Sequence, residues 1–286
     1  MTTISPTGHT MRGFPWDSVN HSCAYDSLLT ILLSVYCDNY NMWKAEMSQQ
    51  SNILSQLGRL FEATTKPRPS MTLIEVRDFI RNMLGSRDSS IGIKGSTPTD
   101  ICTVVRAMLA TEQPLTSHYH KCRACDYNTH AVEQRRVTWI CDQSFWKNHP
   151  AKLGIYKGKS ISKWMQALML QNTEEQCPTC HRRMVKVENY INAPNIFALI
   201  MTTTAVIETS LILPEMDQMY RLAGIVYYHD CHFVCRVIDK SRQVWFHDGV
   251  ENGNTAIYED NIVNISMKKL QTKGNYVMSM LIYTEM

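Results

Sequence analysis

Asn20-His-Ser-Cys23-Ala-Tyr-Asp26-Ser27 runs without a break into Ser27-Leu-Leu-Thr-Ile-Leu-Leu-Ser-Val35. The second stretch is apolar nearly all round, which predicts a helix buried in the core and not one lying on a surface. The first stretch puts a cysteine at the head of that helix. A helix N-terminus carries a positive partial charge and unpaired N–H groups, which favour thiolate over thiol and can hold the oxyanion that forms when a carbonyl is attacked. Cys23 is therefore a candidate nucleophile; the alternative is a small buried residue at the start of a core helix.

A nucleophile of this kind needs a base. Arg221-Leu-Ala-Gly-Ile-Val-Tyr-Tyr-His-Asp-Cys-His232-Phe-Val-Cys-Arg-Val-Ile238, then Asp239-Lys-Ser-Arg242, then Val244-Trp-Phe-His-Asp248-Gly249, includes two strand-like runs joined by a short polar turn, the pattern of a β-hairpin. With a three-residue loop centred on Lys240, His232 falls directly opposite Asp248. Facing residues of an antiparallel pair point to one side with Cβ atoms about 5 Å apart, so the carboxylate can hold the imidazole in the tautomer a base requires. His229 and His247 are competing bases without a carboxylate as well placed, and an exposed hairpin with a chance His and Asp is the plain alternative.

Cys122-Arg-Ala-Cys125 and Cys177-Pro-Thr-Cys180 have the two-residue spacer of metal-binding knuckles. Two such pairs complete the tetrahedral four-sulfur shell of a structural zinc, which leaves no open position for catalysis. The alternatives are two chance pairs, or a redox Cys-x-x-Cys in one of them. His120 and His181 flank the pairs and are possible substitutes for a sulfur. The other cysteines, Cys37, Cys102, Cys141, Cys231 and Cys235, sit in apolar sequence and read as core residues.

The composition suits a compact chain: 286 residues, 44% hydrophobic, 19% charged, with 12 Gly and 10 Pro. Residues 1–15 lack the apolar core of a signal peptide, and no run approaches the 18 or more apolar residues of a membrane span. A cytoplasmic or nuclear location is expected, where thiols stay reduced and ten cysteines serve metal binding and catalysis better than disulfides. The net charge of +3 is uneven: Ser117 to Tyr190 holds 12 Lys or Arg against 6 Asp or Glu, leaving 17 against 20 elsewhere. That basic middle is either a solvated surface or a patch for an acidic partner.

Along the chain, helical patterns cover Met42 to Ala63, Met71 to Leu84, Pro98 to Thr111 with Thr97 or Thr99 as cap, and Ser160 to Gln171. After about Asn189 the pattern turns to strands: Asn195 to Met201, Arg221 to Tyr228, Phe233 to Ile238, Val244 to His247 and Tyr276 to Tyr283.

These landmarks resemble, in order, those of the ubiquitin-specific protease family, a papain-like group of cysteine peptidases. The family's Asn-x-Cys-Tyr-x-Asn-Ser box is similar to Asn20 to Ser27, its Asp-Ala-x-Glu-Phe motif to Asp100 to Val104, and its finger knuckles to the two cysteine pairs. The strand ahead of its histidine box resembles Ala193 to Ile200, and the box itself Gly224 to Gly249. The resemblance implies one α+β catalytic domain over 1–286, with a papain-like helical thumb (about 15–115), zinc-bearing fingers (116–190) and an antiparallel β palm (191–286).

It also implies acyl transfer after the C-terminal Gly-Gly of ubiquitin or a ubiquitin-like modifier by Cys23, His232 and Asp248, with one structural zinc on Cys122, Cys125, Cys177 and Cys180. Asp100 takes the place of an acid that grips the arginines of ubiquitin's tail. Several positions depart from the family. Ser18 stands where an oxyanion-donating Asn is usual, with Asn20 nearby; Asp26 resembles the SUMO-directed branch; Thr103 replaces the second tail-gripping acid; and no loop fits between His229 and His232. A protease for SUMO or another ubiquitin-like protein, an inactive modifier-binding module, and, last, a nucleic-acid-binding zinc ribbon are the competing expectations.

Overall fold

The computed structural model describes residues 5, 8–88, 91, 99–141, 160–201, 205–213 and 215–286; Thr97 and the side chain of Cys141 lie outside the described residues. The apolar run after Cys23 forms helix α1 (Cys23–Asp38), in which 14 of 16 residues are buried, so it has no solvent face. It packs against strands β8 (Met219–His229) and β9 (His232–Ile238). The approach is closest at Gly224, where an added Cβ would stand 2.6 Å from the Ile31 side chain. Only a residue without a side chain lets the helix lie that near the sheet.

The stretch expected as one helix from Met42 to Ala63 is two, α2 (Tyr40–Gln50) and α3 (Asn52–Thr65). Ser51 takes an extended conformation between them and its hydroxyl accepts from Leu54 N at 3.2 Å. The short polar side chain offers the backbone a cap in place of a continued helix. Gln50, just before the break, is buried: its amide donates to the Leu109 and Ile196 carbonyls, and its oxygen accepts from Ile196 N at 2.8 Å. One side chain thus ties the helical lobe to the sheet. Helix α4 (Leu73–Arg87) opens with a Thr72/Glu75 capping box. Helix α5 (Ile101–Met108) is shorter than expected, and its cap is Asp100, not Thr97 or Thr99.

A four-stranded antiparallel sheet, in the order β2-β1-β5-β4, is built from β1 (Thr116–Cys122), β2 (Val132–Gln134), β4 (Leu170–Gln176) and β5 (Arg183–Tyr190). Helix α6 (Ile161–Leu168) precedes β4. The nine-stranded sheet has the main path β11-β10-β9-β8-β13-β6-β3, with β7 (Ser210–Ile212) on β8 and β12 (Thr272–Lys273) on β13. Its other members are β3 (Thr138–Cys141), β6 (Ile196–Met201), β10 (Gln243–His247), β11 (Ile257–Asn261) and β13 (Tyr276–Glu285). The palm strands from β6 onward pair antiparallel as expected, and β3, from the middle of the chain, adds a parallel partner to β6.

Strand β6 is buried on both faces. Ile196, Ala198 and Ile200 meet the cluster around α1, whereas Phe197, Leu199 and Met201 meet a second cluster with Trp164, Tyr220 and Tyr283. A strand covered on both sides reads as a continuous apolar run, which is what Ile196 to Met201 shows. No helix among the described residues is long and apolar enough to cross a membrane.

Candidate active site and metal centre

Cys23 is the first residue of α1 and is buried. The chain reaches it through a loop fixed from within: Asp17 Oδ1 accepts from Val19 N and Asn20 N, and Asp17 Oδ2 accepts from the Asn20 amide at 2.7 Å. His21 sits in the left-handed region at φ 46°. Behind the loop, Arg77 of α4 donates to Pro15 O, and Arg81 donates to Asn20 O. Neither arginine was legible as part of the site, since a buried guanidinium within an amphipathic helix leaves no mark in the local pattern.

His232 opens β9, one residue past a two-residue turn of Asp230 and Cys231, both at positive φ, that pairs His229 with His232. The next hairpin differs from expectation. Its ladder runs from Val244 opposite Ile238 to His247 opposite Cys235, so the loop is longer and the register is displaced by two from the pairing of His232 with Asp248. The cause is Asp239, whose carboxylate accepts from Gln243 N at 3.0 Å and Trp245 Nε1 at 3.1 Å, with Arg242 left-handed at φ 64°. A displacement of two keeps the same residues on the same face. Asp248 therefore still meets His232, on a diagonal, with Oδ1 2.9 Å from Nε2.

Asp248 is itself fixed as the cap of the short helix α7 (Gly249–Asn252), accepting from Val250 N at 2.9 Å. Burial alone would lower the affinity of His232 for a proton, but hydrogen bonds to Asp248 and to Cys23 outweigh it and raise its pKa to about 9. Burial would raise Asp248, yet the bonds from His232 and Val250 N–H hold it below the usual carboxylate range. With Nε2 on the carboxylate, Nδ1 is the ring nitrogen left to meet the sulfur. The structure thus sets His232 in a hydrogen bond to Asp248 and close enough to Cys23 for the sulfur to bear on its charge.

The rival histidines are placed elsewhere. His247 is buried, hydrogen-bonded to Gly253 O at 3.0 Å and seated against Gly13, where a Cβ would stand 2.2 Å from its ring. His229 is exposed and lies edge-on to Tyr276. Rings that sequence reasoning missed frame His232: Trp16 at 6.4 Å and Tyr276 at 6.1 Å, both edge-on.

Of the two oxyanion candidates, Ser18 is exposed and the Asn20 amide is turned to Asp17. Asp100 is also engaged locally: its Oδ2 accepts from Thr103 N at 2.9 Å and Thr103 Oγ1 at 3.0 Å. It stands at a groove of about 390 Å³ whose apolar walls include Ile101, Ile200, Tyr228 and Phe233. Cys231 and Phe233, the chain neighbours of His232, both line that groove.

The two knuckles do meet. The sulfurs of Cys122, Cys125, Cys177 and Cys180 all lie within 4.8 Å of one another, with separations of 3.4 Å (Cys122 to Cys180), 3.6 Å (Cys125 to Cys177) and 3.7 Å (Cys125 to Cys180). A tetrahedral zinc with bonds of about 2.3 Å spaces its sulfurs by about 3.8 Å, so the donor set fits. Turn hydrogen bonds shape each knuckle, Cys122 N to Tyr127 O at 3.0 Å and Cys177 N to Arg182 O at 2.8 Å. His120 bonds Glu175 instead, and the ligand set is four thiols. Of the other cysteines expected in the core, and among the described side chains, Cys235 is buried, whereas Cys37 and Cys231 are exposed and Cys102 is half-buried, because α1, the β8–β9 turn and α5 present them at their ends.

A helical lobe and a large sheet that meet at Cys23 and His232, with a separate small sheet carrying four clustered thiols, define an α+β fold of the ubiquitin-specific protease type. Solved structures place it there. One chain of the SAGA DUB module Ubp8/Sgf11/Sus1/Sgf73 bound to monoubiquitin is similar over 96% of this chain and 69% of its own, at TM-score 0.58 and 11% identity. The module bound to ubiquitin aldehyde is similar over 96% and 70%, at TM-score 0.60 and 11% identity. A yeast SAGA DUB module with an Sgf73 mutant is similar over 96% and 68%, at 0.54 and 12%. No family model and no curated protein matches the sequence, so the likeness is one of fold.

Proposed function

We propose that the chain is a thiol-dependent hydrolase that cleaves after the C-terminal Gly-Gly of ubiquitin or a ubiquitin-like modifier. The observation that carries this reading is His232, hydrogen-bonded to Asp248 and electrostatically coupled to Cys23, at the head of a buried helix. His232, held by Asp248, takes the proton of the Cys23 thiol; the thiolate so formed attacks the terminal glycine carbonyl, and the charge that develops on oxygen faces the N–H groups at the start of α1. His232 then gives its proton to the departing amine, a thioester remains, and water activated by the same imidazole releases the modifier. Asp248 keeps Nε2 occupied and so leaves Nδ1 turned to the sulfur.

Cys122, Cys125, Cys177 and Cys180 would hold one structural zinc that ties β1 to the turn before β5. The bound ion supplies folding energy and takes no part in the reaction, because all four positions are filled by protein.

Ubiquitin is the modifier bound in the similar solved structures. A second reading, a SUMO-type or other ubiquitin-like tail, draws on the tail groove of this chain: Thr103 is no acid, and it occupies Oδ2 of Asp100, which weakens any grip on a pair of arginines.

The test is a panel of activity probes bearing ubiquitin or ubiquitin-like modifiers with a thiol-reactive C-terminus, applied to the wild type and to Cys23→Ala. Labelling at Cys23 by one probe names the modifier. A folded protein that no probe labels, but that still binds modifiers, is a binding module and ends the proposal.

A further inference from the structure

Ser22 occupies the N-cap of α1, directly before Cys23, yet its side chain caps nothing: it accepts from none of the first-turn N–H groups. A serine at this position ordinarily accepts from the N–H two or three residues on. Here the hydroxyl points back. It donates to Asp26 Oδ2 at 2.5 Å and accepts from Asp17 N at 2.8 Å and Arg77 Nη1 at 3.2 Å. Asp26 in turn accepts from Arg77 Nη1 at 3.1 Å, and the same nitrogen reaches Pro15 O at 2.5 Å. All three side chains are buried, with Ser22 at 0%, Asp26 at 2% and Arg77 at 2% exposure.

We infer that Asp26 and Arg77 are positioning residues for Cys23, acting through Ser22. They draw the capping hydroxyl away from the start of α1 and lock residues 15–22 against it. The N–H groups of the first turn, on which the proposed reaction relies for its oxyanion, thus have no competitor in the side chain that would normally take them. The inference rests on the functional reading above. It also accounts for the carboxylate at position 26: Asp26 takes the hydroxyl's proton, which leaves both lone pairs of the oxygen to Asp17 N and Arg77 Nη1 and none to the helix N–H groups. Burial pushes Asp26 up to about 7 against the pull of Arg77, the mark of a carboxylate kept dry for a structural purpose.

The test uses Asp26→Asn, Arg77→Lys and Ser22→Ala, with the wild type as reference, on the modifier probe that labels Cys23 and a fluorogenic substrate with the same C-terminus. The expected result for Asp26→Asn and Arg77→Lys is a kcat at least about tenfold lower with KM within about twofold, because an oxyanion donor acts in the transition state. Alkylation of Cys23 by iodoacetamide, which forms no oxyanion, stays within about twofold. Combining Ser22→Ala with Asp26→Asn recovers most of the lost kcat, since it removes the hydroxyl that the missing carboxylate no longer holds away from the N–H groups. An unchanged kcat in Asp26→Asn and Arg77→Lys overturns the inference, as does a joint fall of kcat, KM affinity, alkylation rate and melting temperature, which marks a merely structural pair. Ser22→Ala, a one-atom change, decides the matter if the charged variants do not fold: a kcat within about twofold of the wild type agrees with a hydroxyl that only has to stay clear of the N–H groups, and a fall of about tenfold overturns the inference. A wild type that no probe labels sinks the functional reading itself; an active wild type whose charged variants keep their kcat sinks only this inference.

Discussion

Oδ1 of Asp248 meets Nε2 of His232 at 2.9 Å although the strands that carry them pair in a register that sets neither residue opposite the other. Asp248 has already left β10 to cap α7, and the same Oδ1 takes the Val250 N–H. A carboxylate held by a backbone donor keeps its direction without help from the histidine, so it orients the ring instead of following it.

Replacing Asp248 with Asn removes that orientation while keeping the shape. Turnover should fall by about 100-fold, intermediate between the wild type and Cys23→Ala, because a misoriented imidazole still samples the required tautomer. Steady-state kinetics on the fluorogenic substrate measure it; turnover equal to wild type would remove Asp248 from the reaction.

Stability should also follow the proton on His232. Its folded value, about 9, lies above the 6.5 of a free imidazole, so the stability it contributes is complete below about pH 6.5 and is lost as the pH rises through about 9. At about 1.4 kcal/mol per unit the loss is on the order of 3 kcal/mol, reduced by the partial exposure of the ring. Asp248, held low, contributes in the other direction: its share is present above the usual carboxylate range and lost on acidification through its lowered value. Melting curves of wild type and His232→Gln across pH 6 to 10 should converge at the alkaline end; parallel curves would contradict the pairing.

Purified protein should carry about one zinc per chain, bound by four thiolates. Cys180→Ser or a strong chelator should release the ion and lower stability by several kcal/mol. Elemental analysis with thermal denaturation reads both, and a metal-free protein of undiminished stability would reduce the cluster to four neighbouring thiols.

Gly224→Ala should lower stability by about 1–3 kcal/mol, since the new methyl stands 2.6 Å from Ile31 and α1 must shift. Adding Ile31→Ala should recover part of the loss. A denaturant titration of the single and double variants checks this, and simple additivity of the two costs would show that α1 does not press on that strand.

Much of this was legible locally. The apolar run after Cys23 read as a core helix, Asn195 to Met201 as a strand, and the two Cys-x-x-Cys pairs as metal knuckles ahead of chance or a redox pair, because burial on every side, short apolar runs between turns and two-residue spacers each leave a short-range imprint. His232 and Asp248 were found because a hairpin joins near neighbours in the chain, and an error of two in register preserves the face. The break at Ser51 was missed because a side-chain cap competes with helix propensity by a margin that periodicity does not record.

The sequence by itself determined which groups are present and which local element carries each: a cysteine at a helix start, an imidazole and a carboxylate on one hairpin, four thiols in two knuckles. Tertiary structure decided everything that depends on partners far apart in the chain. It brought Cys23 to His232 across 209 positions and Cys122 to Cys180 across 58, and set Arg77 against Pro15, Ser22 and Asp26. The reason is physical: a local pattern records whether a side chain is buried, but a hydrogen bond between distant residues has direction and length, and these exist only once the packing of whole elements has set them.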